Sequence, residues 1–490
     1  MSNTTTSTRY RQLIGGEWLE GSDGTYEIIN PATEEVVAEA PEASADDVRR
    51  AAAAAAEAFP AWSRTDPAER AALLRKAGQL LAERTPELIP LVIAEAGATS
   101  SVGSLMQIPV AISRFERYAK GAMTDLSRAL PPQPIGATPL APGAVMGAVA
   151  NRVPVGVVAC ISPYNFPTTN AVGKAAPALA VGNTVVLKPA PQDPLCVIEL
   201  ARIFHDAGFP PGVVNIVTGA KPEVGAVLVE DPNVDMVSFT GSTPVGIKIM
   251  EAGARTMKRQ LQELGGKGAC VVTDDADLDK AVEGIASVWA FHSGQICTAP
   301  TRVIVHRSRY DELVGRLATA ARALKVGDPL DAATQVGPVI SGLQRDRILD
   351  HIETGLKEGA EIVVDGRDPG VDKGFYVGPT LLAGCDNTMS PVRQEIFGPV
   401  VVVVPFDDDD DAVRIANDSD FGLYSYVYCG DTARAFVIAK QIRSGQVGVN
   451  TMQRHHEAPF GGFKLSGVGR DGGDYGLEAY TELQAVIWPA

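Results

Sequence analysis

The sequence predicts an α/β protein, and three observations lead to that prediction. The chain of 490 residues is too long for one ordinary hydrophobic core, so its length favours two or three domains. Short runs of β-branched residues alternate with helical stretches from residue 153 to 272. A second series of the same kind runs from Arg302 to about Tyr428. Because continuous apolar runs are typical of buried parallel strands, we expect a doubly wound sheet in the first region and a second α/β domain after it.

The chain begins with a short strand-and-turn section and is expected to become helical at Ala45. Apolar residues at spacings of three and four positions predict helices over Asp46 to Phe59 and over Glu69 to Arg84, with Ser44 as the N-cap of the first. The run Ala51 to Ala56 is interpreted as a close-packed helix face, because alanine has the highest helix propensity. These helices are expected to cover a sheet.

Five apolar runs in the first series are predicted to be strands: Val155 to Ile161, Thr184 to Leu187, Val213 to Val217, Met236 to Phe239 and Ala269 to Val272. In the second series, Val400 to Val404 is a further predicted strand. The section Pro131 to Gly147 is rich in proline and glycine, which is typical of a linker or an extended arm. Near the C-terminus, Thr481 to Ile487 is also predicted to be a strand.

The composition of the chain excludes several functions. A net charge of −16 without any basic cluster argues against binding to nucleic acid or to an anionic membrane. The N-terminus has no apolar leader, so we expect a soluble, cytoplasmic protein. The six cysteines form no Cys-x-x-Cys pair, so we expect neither a metal site nor a disulfide framework. The aspartates at 407 to 411 lack the spacing of a calcium loop and are expected at a solvated helix N-terminus.

Two segments of the sequence predict a nucleophile and a base. Glu263 lies in Gln-Glu-Leu-Gly-Gly-Lys-Gly-Ala, and Cys297 follows 34 positions later in Ser-Gly-Gln-Ile-Cys-Thr-Ala. A thiolate attacks an electrophilic carbon, and a carboxylate activates water to release the covalent acyl intermediate. A lone buried cysteine is most often inert, but polar Gln295 and Thr298 flank this one. For Glu263, a solvated glutamate at a turn is the alternative interpretation.

Further candidates follow predicted strands, at the carboxyl ends where an open parallel sheet has its ligand crevice. Asn165 offers an amide donor to an oxyanion, with a structural role in a turn as the alternative. Lys188 can contact a ribose hydroxyl or a phosphate. Phe239-Thr-Gly-Ser opens a helix whose amides can receive a phosphate, yet no lysine follows as in a P-loop, which argues against an ATPase. The only Gly-x-Gly-x-x-Gly, at 467 to 472, lacks a surrounding strand-to-helix unit and is interpreted as unrelated to dinucleotide binding.

With Glu395-Ile-Phe-Gly-Pro and Pro459-Phe-Gly-Gly-Phe-Lys added in this order, the chain resembles the aldehyde dehydrogenase superfamily from about Ile14 to Trp488. The resemblance implies an oxidoreductase that converts an aldehyde and NAD or NADP into a carboxylic acid and the reduced cofactor. It also implies a fold with a Rossmann-type cofactor domain, an α/β catalytic domain and a small β oligomerisation arm.

The resemblance assigns roles to individual residues. Cys297 would attack the aldehyde to give a thiohemiacetal and, after hydride transfer, a thioester. The Asn165 amide and the Cys297 backbone N–H would hold the oxyanion, and Glu263 would activate the hydrolytic water. Lys174 and Asp471 match positions linked to a proton relay. The residues implied to line the dinucleotide are Ser162, Pro163, Lys188, Gly225, Thr240, Gly241, Ser242, Leu264, Gln344, Glu395 and Phe397.

The chain departs from the family pattern at several positions. Tyr164 stands where tryptophan is common, and Asp471 stands where glutamate is usual. Gln262 and Gly268 replace the residues that commonly flank the Glu-Leu-Gly-Gly-Lys core. Pro191 occupies the position at which NAD-preferring members commonly carry a glutamate that holds the adenosine ribose. Without that carboxylate a 2′-phosphate is not repelled, so both NAD and NADP stay open.

The substrate follows only from residues expected near the tunnel. The segment Asn450 to Pro459 contains no aromatic residue, which counts against a cage for a quaternary ammonium aldehyde. Three basic residues of this segment are either contacts for an acidic substrate or exposed surface: Arg454, His455 and His456. Three apolar residues favour an apolar aliphatic or aromatic aldehyde: Phe166, Val172 and Ile296.

By the same resemblance, residues 1–120 and 150–262 form the dinucleotide-binding domain and residues 263–456 form the catalytic domain. Residues 121–149 and 457–490 form the oligomerisation arm and C-terminal segment, which implies a homodimer or homotetramer. A cysteine hydrolase or acyltransferase without a dinucleotide is the rival of another class. A CoA-acylating dehydrogenase is a nearer rival, although such relatives typically lack the glutamate at 263, and a non-catalytic descendant is expected to have lost the nucleophile or the base.

Overall fold

The computed structural model describes residues 9–489. Its first part is a set of short strands followed by helices. The strands are β1 (Gln12–Ile14), β2 (Glu17–Leu19), β3 (Thr25–Ile29) and β4 (Val36–Pro41). The helices are α1 (Ala45–Trp62), α2 (Pro67–Glu83), α3 (Thr85–Ala96), α4 (Ser100–Val102) and α5 (Ile108–Gly121), with a π-helical stretch at Gly103–Gln107 before α5.

An arm and the first α/β series follow. The arm strands are β5 (Arg128–Ile135) and β6 (Ala144–Pro154). The series consists of β7 (Val157–Ile161), α6 (Pro167–Ala180), β8 (Thr184–Lys188), α7 (Leu195–Ala207), β9 (Val214–Ile216), α8 (Pro222–Glu230), β10 (Met236–Thr240), α9 (Thr243–Ala254) and β11 (Arg259–Glu263).

The second series contains most of the remaining elements. It consists of β12 (Ala269–Val272), α10 (Leu278–Ala290), β13 (Arg302–His306), α11 (Tyr310–Ala323), α12 (Gly342–Lys357), β14 (Glu361–Val364), β15 (Thr380–Ala383), α13 (Ser390–Arg393), β16 (Val400–Phe406), α14 (Asp409–Asn417), β17 (Phe421–Gly422), β18 (Tyr424–Tyr428), α15 (Thr432–Gln441) and β19 (Gln446–Val449). The C-terminal elements are β20 (Phe463–Lys464), β21 (Gly467–Val468), α16 (Gly473–Ala479) and β22 (Thr481–Pro489).

Two large sheets organise these elements. The first has the strand order β2-β1-β9-β8-β7-β10-β11-β21, with β9 to β11 parallel and the outer strands antiparallel. The second has the order β14-β15-β16-β13-β12-β18-β19 and is parallel except at β14. This arrangement confirms the predicted α/β class. Between residues 9 and 489 no helix is long and apolar enough to cross a membrane.

The central strands of the two sheets are mostly apolar because helices cover both faces of each sheet. Along β7, Val158 and Cys160 enter one core while Val157 and Ala159 enter the core on the opposite face. In the second sheet, Val271 and Val272 are divided in the same way between two cores. Burial of a valine side chain stabilises the fold by about 1.5–3 kcal/mol, so these two-sided strands stabilise the interior of each sheet.

The local predictions are largely confirmed, with small shifts. Ser44 caps α1 through a capping box with Asp47. The predicted strand from Val155 begins two residues later, because Gly156 has a φ of 137° and directs the chain past Asp235. The five aspartates do lie at a helix N-terminus, with Asp408 as the N-cap of α14.

The section around residues 131–147 is an arm and not a linker. Strands β5 and β6 pair with the C-terminal β22 in an antiparallel three-stranded sheet of order β22-β6-β5. The predicted domain boundary at 149/150 falls inside β6, since that strand runs on to Pro154. The C-terminal β21 pairs with β11 and so extends the first sheet.

Candidate active site

The parallel register of the first sheet collects several predicted residues at one edge. Ile161 of β7 lies beside Lys188 of β8, and Thr240 of β10 lies beside Glu263 of β11. The loops that follow these strands therefore leave the sheet side by side. Two backbone hydrogen bonds join them, from Ser162 N–H to the Lys188 carbonyl at 3.1 Å and from Gly241 N–H to the Glu263 carbonyl at 3.1 Å.

The nucleophile candidate lies in a strained loop between α10 and β13. Three consecutive residues before it are left-handed, with φ values of 53° at His292, 52° at Ser293 and 74° at Gly294. A Cβ on Gly294 would lie 2.1 Å from the Gly398 carbonyl oxygen, so only glycine fits there. Cys297 itself is half-buried. Burial raises the pKa of its thiol to about 12, against the opposing charge of Arg454.

The two glycines after Glu263 are required by close contacts. A Cβ on Gly265 would lie 2.3 Å from Glu395 Oε2, and one on Gly266 would lie 2.2 Å from the Cys297 carbonyl oxygen. The Gly266 N–H also donates a hydrogen bond of 2.8 Å to Glu395 Oε1. The loop between the two sheets thus brings together three segments that are far apart in the sequence.

Asn165 lies in the loop between β7 and α6 and joins it to the loop between α10 and β13, which carries Cys297 and is called the nucleophile loop below. Its side-chain Nδ2 donates to the Gln295 carbonyl at 2.7 Å, two residues before Cys297. Its Oδ1 accepts a bond from the Phe166 N–H at 3.1 Å, and Gln107 Nε2 donates to its backbone carbonyl at 2.9 Å. An amide nitrogen carries two hydrogens, so the second one stays available to a ligand oxygen.

Glu263 is enclosed, and its interpretation as a solvated turn residue is wrong. The residue is 5% exposed, and neither carboxylate oxygen has a hydrogen-bond partner within residues 9–489. Burial raises the pKa of the carboxyl well above its usual value, and Asp471 raises it further, whereas the cation of Lys174 opposes the shift. A Cβ on Gly461 would lie 2.9 Å from Glu263 Oε1, so the Pro-Phe-Gly-Gly segment closes over the carboxylate.

A polar chain leads away from Lys174. Its Nζ donates to Ser238 Oγ at 3.3 Å, and that hydroxyl shares a 2.8 Å hydrogen bond with the Tyr480 hydroxyl. Burial lowers the pKa of Lys174, and the charge of Asp471 opposes this. The Tyr118 hydroxyl lies 3.5 Å from Asp471 Oδ1. Ser238 and Tyr480 carry no local sequence signal, because one is a strand interior residue and the other precedes β22.

The candidate phosphate and ribose contacts lie at the ends of β8 and β10. Lys188 is buried, its Nζ donates to the Pro189 carbonyl at 3.0 Å, and burial lowers its pKa to about 8. A Cβ on Gly225 would lie 3.7 Å from Lys188 Cε, so α8 and this lysine face each other. Ser242 is the N-cap of α9 and makes no side-chain cap hydrogen bond. Leu264 is buried in the core beneath α9.

Gln344 and Phe397 fix the segment around Glu395. Gln344 Nε2 donates to the carbonyls of Ile396 and Phe397 at 3.1 and 3.0 Å. Phe397 has a φ of 55°, and its ring meets Tyr164 edge-on at 5.8 Å. Burial raises the pKa of Glu395 to about 7, opposed by the Gly266 N–H. The contacts of Gln344 are those of a residue that positions this segment.

The expected tunnel residues divide into several groups. Val172 has no exposed surface and packs in the core, so its assignment to the tunnel wall is wrong. Phe166 and Ile296 are half-buried beside the nucleophile loop, with Phe166 stacked on Phe291 at 5.9 Å. Arg454 donates a hydrogen bond to Thr298 Oγ1, next to Cys297. His455 and His456 are exposed.

The Gly-x-Gly-x-x-Gly at 467–472 has a structural role beside Glu263. Gly467 and Val468 form β21, and a Cβ on Gly467 would lie 1.9 Å from the Gln262 carbonyl oxygen. Asp471 belongs to the same segment and hydrogen-bonds the Gly472 N–H at 2.7 Å. The segment therefore lines the carboxylate of Glu263 from the C-terminal part of the chain.

Comparison with known proteins gives matches along nearly the whole chain. Residues 18–486 match the family described as "Aldehyde dehydrogenase family". A putative aldehyde dehydrogenase of Staphylococcus saprophyticus is 38% identical over 479 residues, which is 97% of this chain and 98% of that protein. A mutant of aldehyde dehydrogenase C from Pseudomonas syringae, solved with NAD+ and octanal, has a TM-score of 0.92 at 39% identity, over 98% of this chain and 97% of that one. An NAD+ complex of aldehyde dehydrogenase from Bacillus cereus has a TM-score of 0.91 at 37% identity, over 98% and 96%.

Proposed function

The chain belongs to the aldehyde dehydrogenase family, whose members oxidise an aldehyde to a carboxylic acid, and we propose that Cys297 is its nucleophile and Glu263 its deacylating base. The observation that carries this proposal is the meeting of three segments at Cys297. Gly266 packs against the Cys297 carbonyl, and Asn165 donates to Gln295 two residues earlier. A nucleophile, an amide donor and a carboxylate are thereby held in one enclosed place.

The thiol of the half-buried Cys297 starts the reaction protonated, since its pKa is raised to about 12. Attack on the aldehyde carbon therefore needs a proton acceptor, and ionised Glu263 takes this proton in our proposal. The oxygen of the resulting thiohemiacetal receives hydrogen bonds from the second Asn165 N–H and from the Cys297 backbone N–H. After oxidation to the thioester, Glu263 removes a proton from the attacking water, and Cys297 leaves as the carboxylic acid is released.

Lys174 and Asp471 act on Glu263 in this proposal. The cation of Lys174 lowers the pKa of Glu263, whereas Asp471 raises it. The hydroxyls of Ser238 and Tyr480 extend a buried polar chain from Lys174 and hold its ammonium in place.

NAD or NADP is the proposed cofactor, and it supplies the hydride acceptor when bound. The residues present fit such a group, because the buried Lys188 ammonium has three donors and uses one of them on Pro189. The proposed contacts are Ser162, Pro163, Lys188, Gly225, Thr240, Gly241, Ser242, Leu264, Gln344, Glu395 and Phe397. NAD+ complexes of the Bacillus and Pseudomonas relatives support this, while Pro191 leaves the position without a carboxylate that would repel a 2′-phosphate.

The proposed substrate is an aldehyde with an apolar aliphatic or aromatic body, in line with Phe166 and Ile296 beside the nucleophile loop. The octanal complex of the Pseudomonas relative supports the aliphatic case. The proposed assembly is a homodimer or homotetramer through the arm, because β22 leaves Leu483, Ile487 and Trp488 exposed. Its cysteines are unpaired, which supports a cytoplasmic location.

The test is formation of NADH and NADPH over a panel of aldehydes. Cys297→Ala is expected to abolish turnover. Glu263→Gln is expected to slow the burst of reduced cofactor, because the thiol loses its proton acceptor, and to slow the steady state further, because the thioester accumulates. Cys385→Ala is the matched control, because it removes a buried cysteine from a core of the second sheet, and this variant should turn over normally. Full steady-state activity of either active-site variant would contradict the mechanism. Ester hydrolysis without any dinucleotide requirement would favour a cysteine hydrolase.

A further inference from the structure

Arg454 is fixed beside the nucleophile by three contacts. Its guanidinium donates to Thr298 Oγ1 and lies over the rings of Phe460 at 5.2 Å and Tyr424 at 5.7 Å. Thr298 follows Cys297 directly and is itself buried. Stacking on two rings and one hydrogen bond restrict the long side chain to one orientation, so binding a ligand costs little further side-chain entropy.

Within residues 9–489 the charge of this guanidinium has no carboxylate partner. Arg117 and Arg345 also lie over aromatic rings and contact an acid, Glu457 and Asp346 respectively. Arg470 lies over Phe463 without an ion pair, but it donates to two backbone carbonyls. Among residues 9–489, no carboxylate oxygen lies within 4.0 Å of Arg454. Its positive charge nevertheless acts on the reactive groups, since it lowers the pKa of both Cys297 and Glu263.

We propose that Arg454 and the Thr298 hydroxyl bind a carboxylate on the substrate, so that the aldehydes this enzyme prefers are carboxylated ones. This inference rests on the proposed function and narrows its substrate class. A guanidinium offers five N–H donors in a planar fork that matches a carboxylate, and Thr298 occupies one of them. One unpaired positive charge matches the single negative charge of a carboxylate. The apolar body of the aldehyde then lies along Phe166 and Ile296.

The three basic residues of the segment, Arg454, His455 and His456, are all exposed. Arg454 differs in that its guanidinium hydrogen-bonds Thr298 Oγ1, next to Cys297. The rings of Tyr424 and Phe460 are occupied by the guanidinium. A quaternary ammonium substrate would meet this cation in place of a free aromatic face, so repulsion excludes it.

The test compares matched pairs of aldehydes: 4-carboxybenzaldehyde with benzaldehyde, and glutaric semialdehyde with pentanal. The measured quantity is the ratio of kcat/KM within each pair. We expect the ratio to favour the carboxylated member and to fall about tenfold to a hundredfold in Arg454→Met, because a hydrogen-bonded ion pair is lost. Arg454→Lys should keep part of the ratio. Arg202→Met, which removes a guanidinium stacked on Trp18 far from the site, is the control and should leave the ratio unchanged.

A second measurement separates binding of a carboxylate from activation of the thiol. Cys297 is alkylated with iodoacetate and with neutral iodoacetamide over a range of pH. Our proposal predicts that Arg454→Met slows iodoacetate selectively. Equal slowing of both reagents, with a higher pH midpoint, would mean that Arg454 only tunes the thiol and would overturn the proposal.

The outcomes also separate this inference from the proposed function. An enzyme that reduces no nicotinamide with any aldehyde contradicts the proposed function itself. An enzyme that oxidises neutral aldehydes, with a pair ratio that is the same in wild type and Arg454→Met, contradicts only the role of Arg454. Thermal unfolding of each variant identifies a protein that has failed to fold, and Arg454→Lys then takes its place in both assays.

Discussion

Gly266→Ala is expected to displace the nucleophile without removing any reactive group. The new Cβ would stand 2.2 Å from the Cys297 carbonyl oxygen, where a carbon and an oxygen need roughly 3.2 Å. The atom it meets belongs to the backbone and not to a flexible side-chain end. One of the two segments must therefore move by about 1 Å, and a misplacement of that size costs about 10²-fold in rate.

Single-turnover formation of NADH measures this effect, because it reports attack and hydride transfer before hydrolysis. We expect the burst rate of Gly266→Ala to fall about 10²-fold. Gly315→Ala is the matched control: Gly315 lies on the exposed face of α11, with no atom within 4 Å of a built Cβ. That substitution should keep the burst rate and stabilise the helix by about 1 kcal/mol.

A burst rate of Gly266→Ala equal to that of the wild type would contradict this prediction. Loss of the burst because the protein unfolds would contradict it as well, so the thermal midpoint is measured in parallel. A folded variant with a slow burst and unimpaired alkylation of Cys297 would place the damage in the geometry of attack.

Three further predictions address the neighbours of the nucleophile. Asn165→Ala should lower kcat by about 10²- to 10³-fold in steady-state assays, and a decrease below tenfold would mean that another donor holds the oxyanion. Lys174→Met should move the rising limb of the pH–kcat profile to higher pH. Loss of the cation raises the pKa of Glu263, and that carboxylate is a base only when it is ionised. An unchanged rising limb would show that Lys174 does not set the pKa of Glu263. His292 is buried and neither ring nitrogen has a hydrogen-bond partner within residues 9–489, and burial lowers its pKa from 6.5 to about 4. The unfolded chain then binds the proton more readily, so His292 should lower the free energy of unfolding by about 3 kcal/mol as the pH falls from 6.5 to 4. Asparagine tolerates the left-handed backbone, so His292→Asn should remove that loss in unfolding titrations.

Much of the fold could be predicted because its signals are local. A continuous β-branched run such as Thr184 to Leu187 specifies a buried strand, and the residue that follows it is then placed at the carboxyl edge. The register of Thr240 beside Glu263 could not be predicted, since it depends on pairing between distant segments.

Site residues could be predicted only where the residues next to them in the sequence indicate a reaction. Cys297 and Glu263 were found from their flanking glycines and polar residues, and contacts with Cys297 and Glu395 now account for the glycine pair. Arg454 was left open as either a contact for an acidic substrate or exposed surface, because Thr298 and Phe460 are brought to it only by the fold. Val172 was misplaced because an apolar side chain fits a core as well as a tunnel wall.

The polar chain from Lys174 has a consequence for the order in which the enzyme is made. Lys174 and Ser238 come from the first sheet and its helices, but Tyr480 and Asp471 come from the end of the chain, and β21 and Gly461 close over Glu263 from the same region. A nascent chain therefore carries its thiol long before it carries the residues that surround the base. Under the proposed mechanism we expect activity only after residue 480 has been synthesised and packed, whereas a product that terminates shortly before it retains Cys297 without Tyr480.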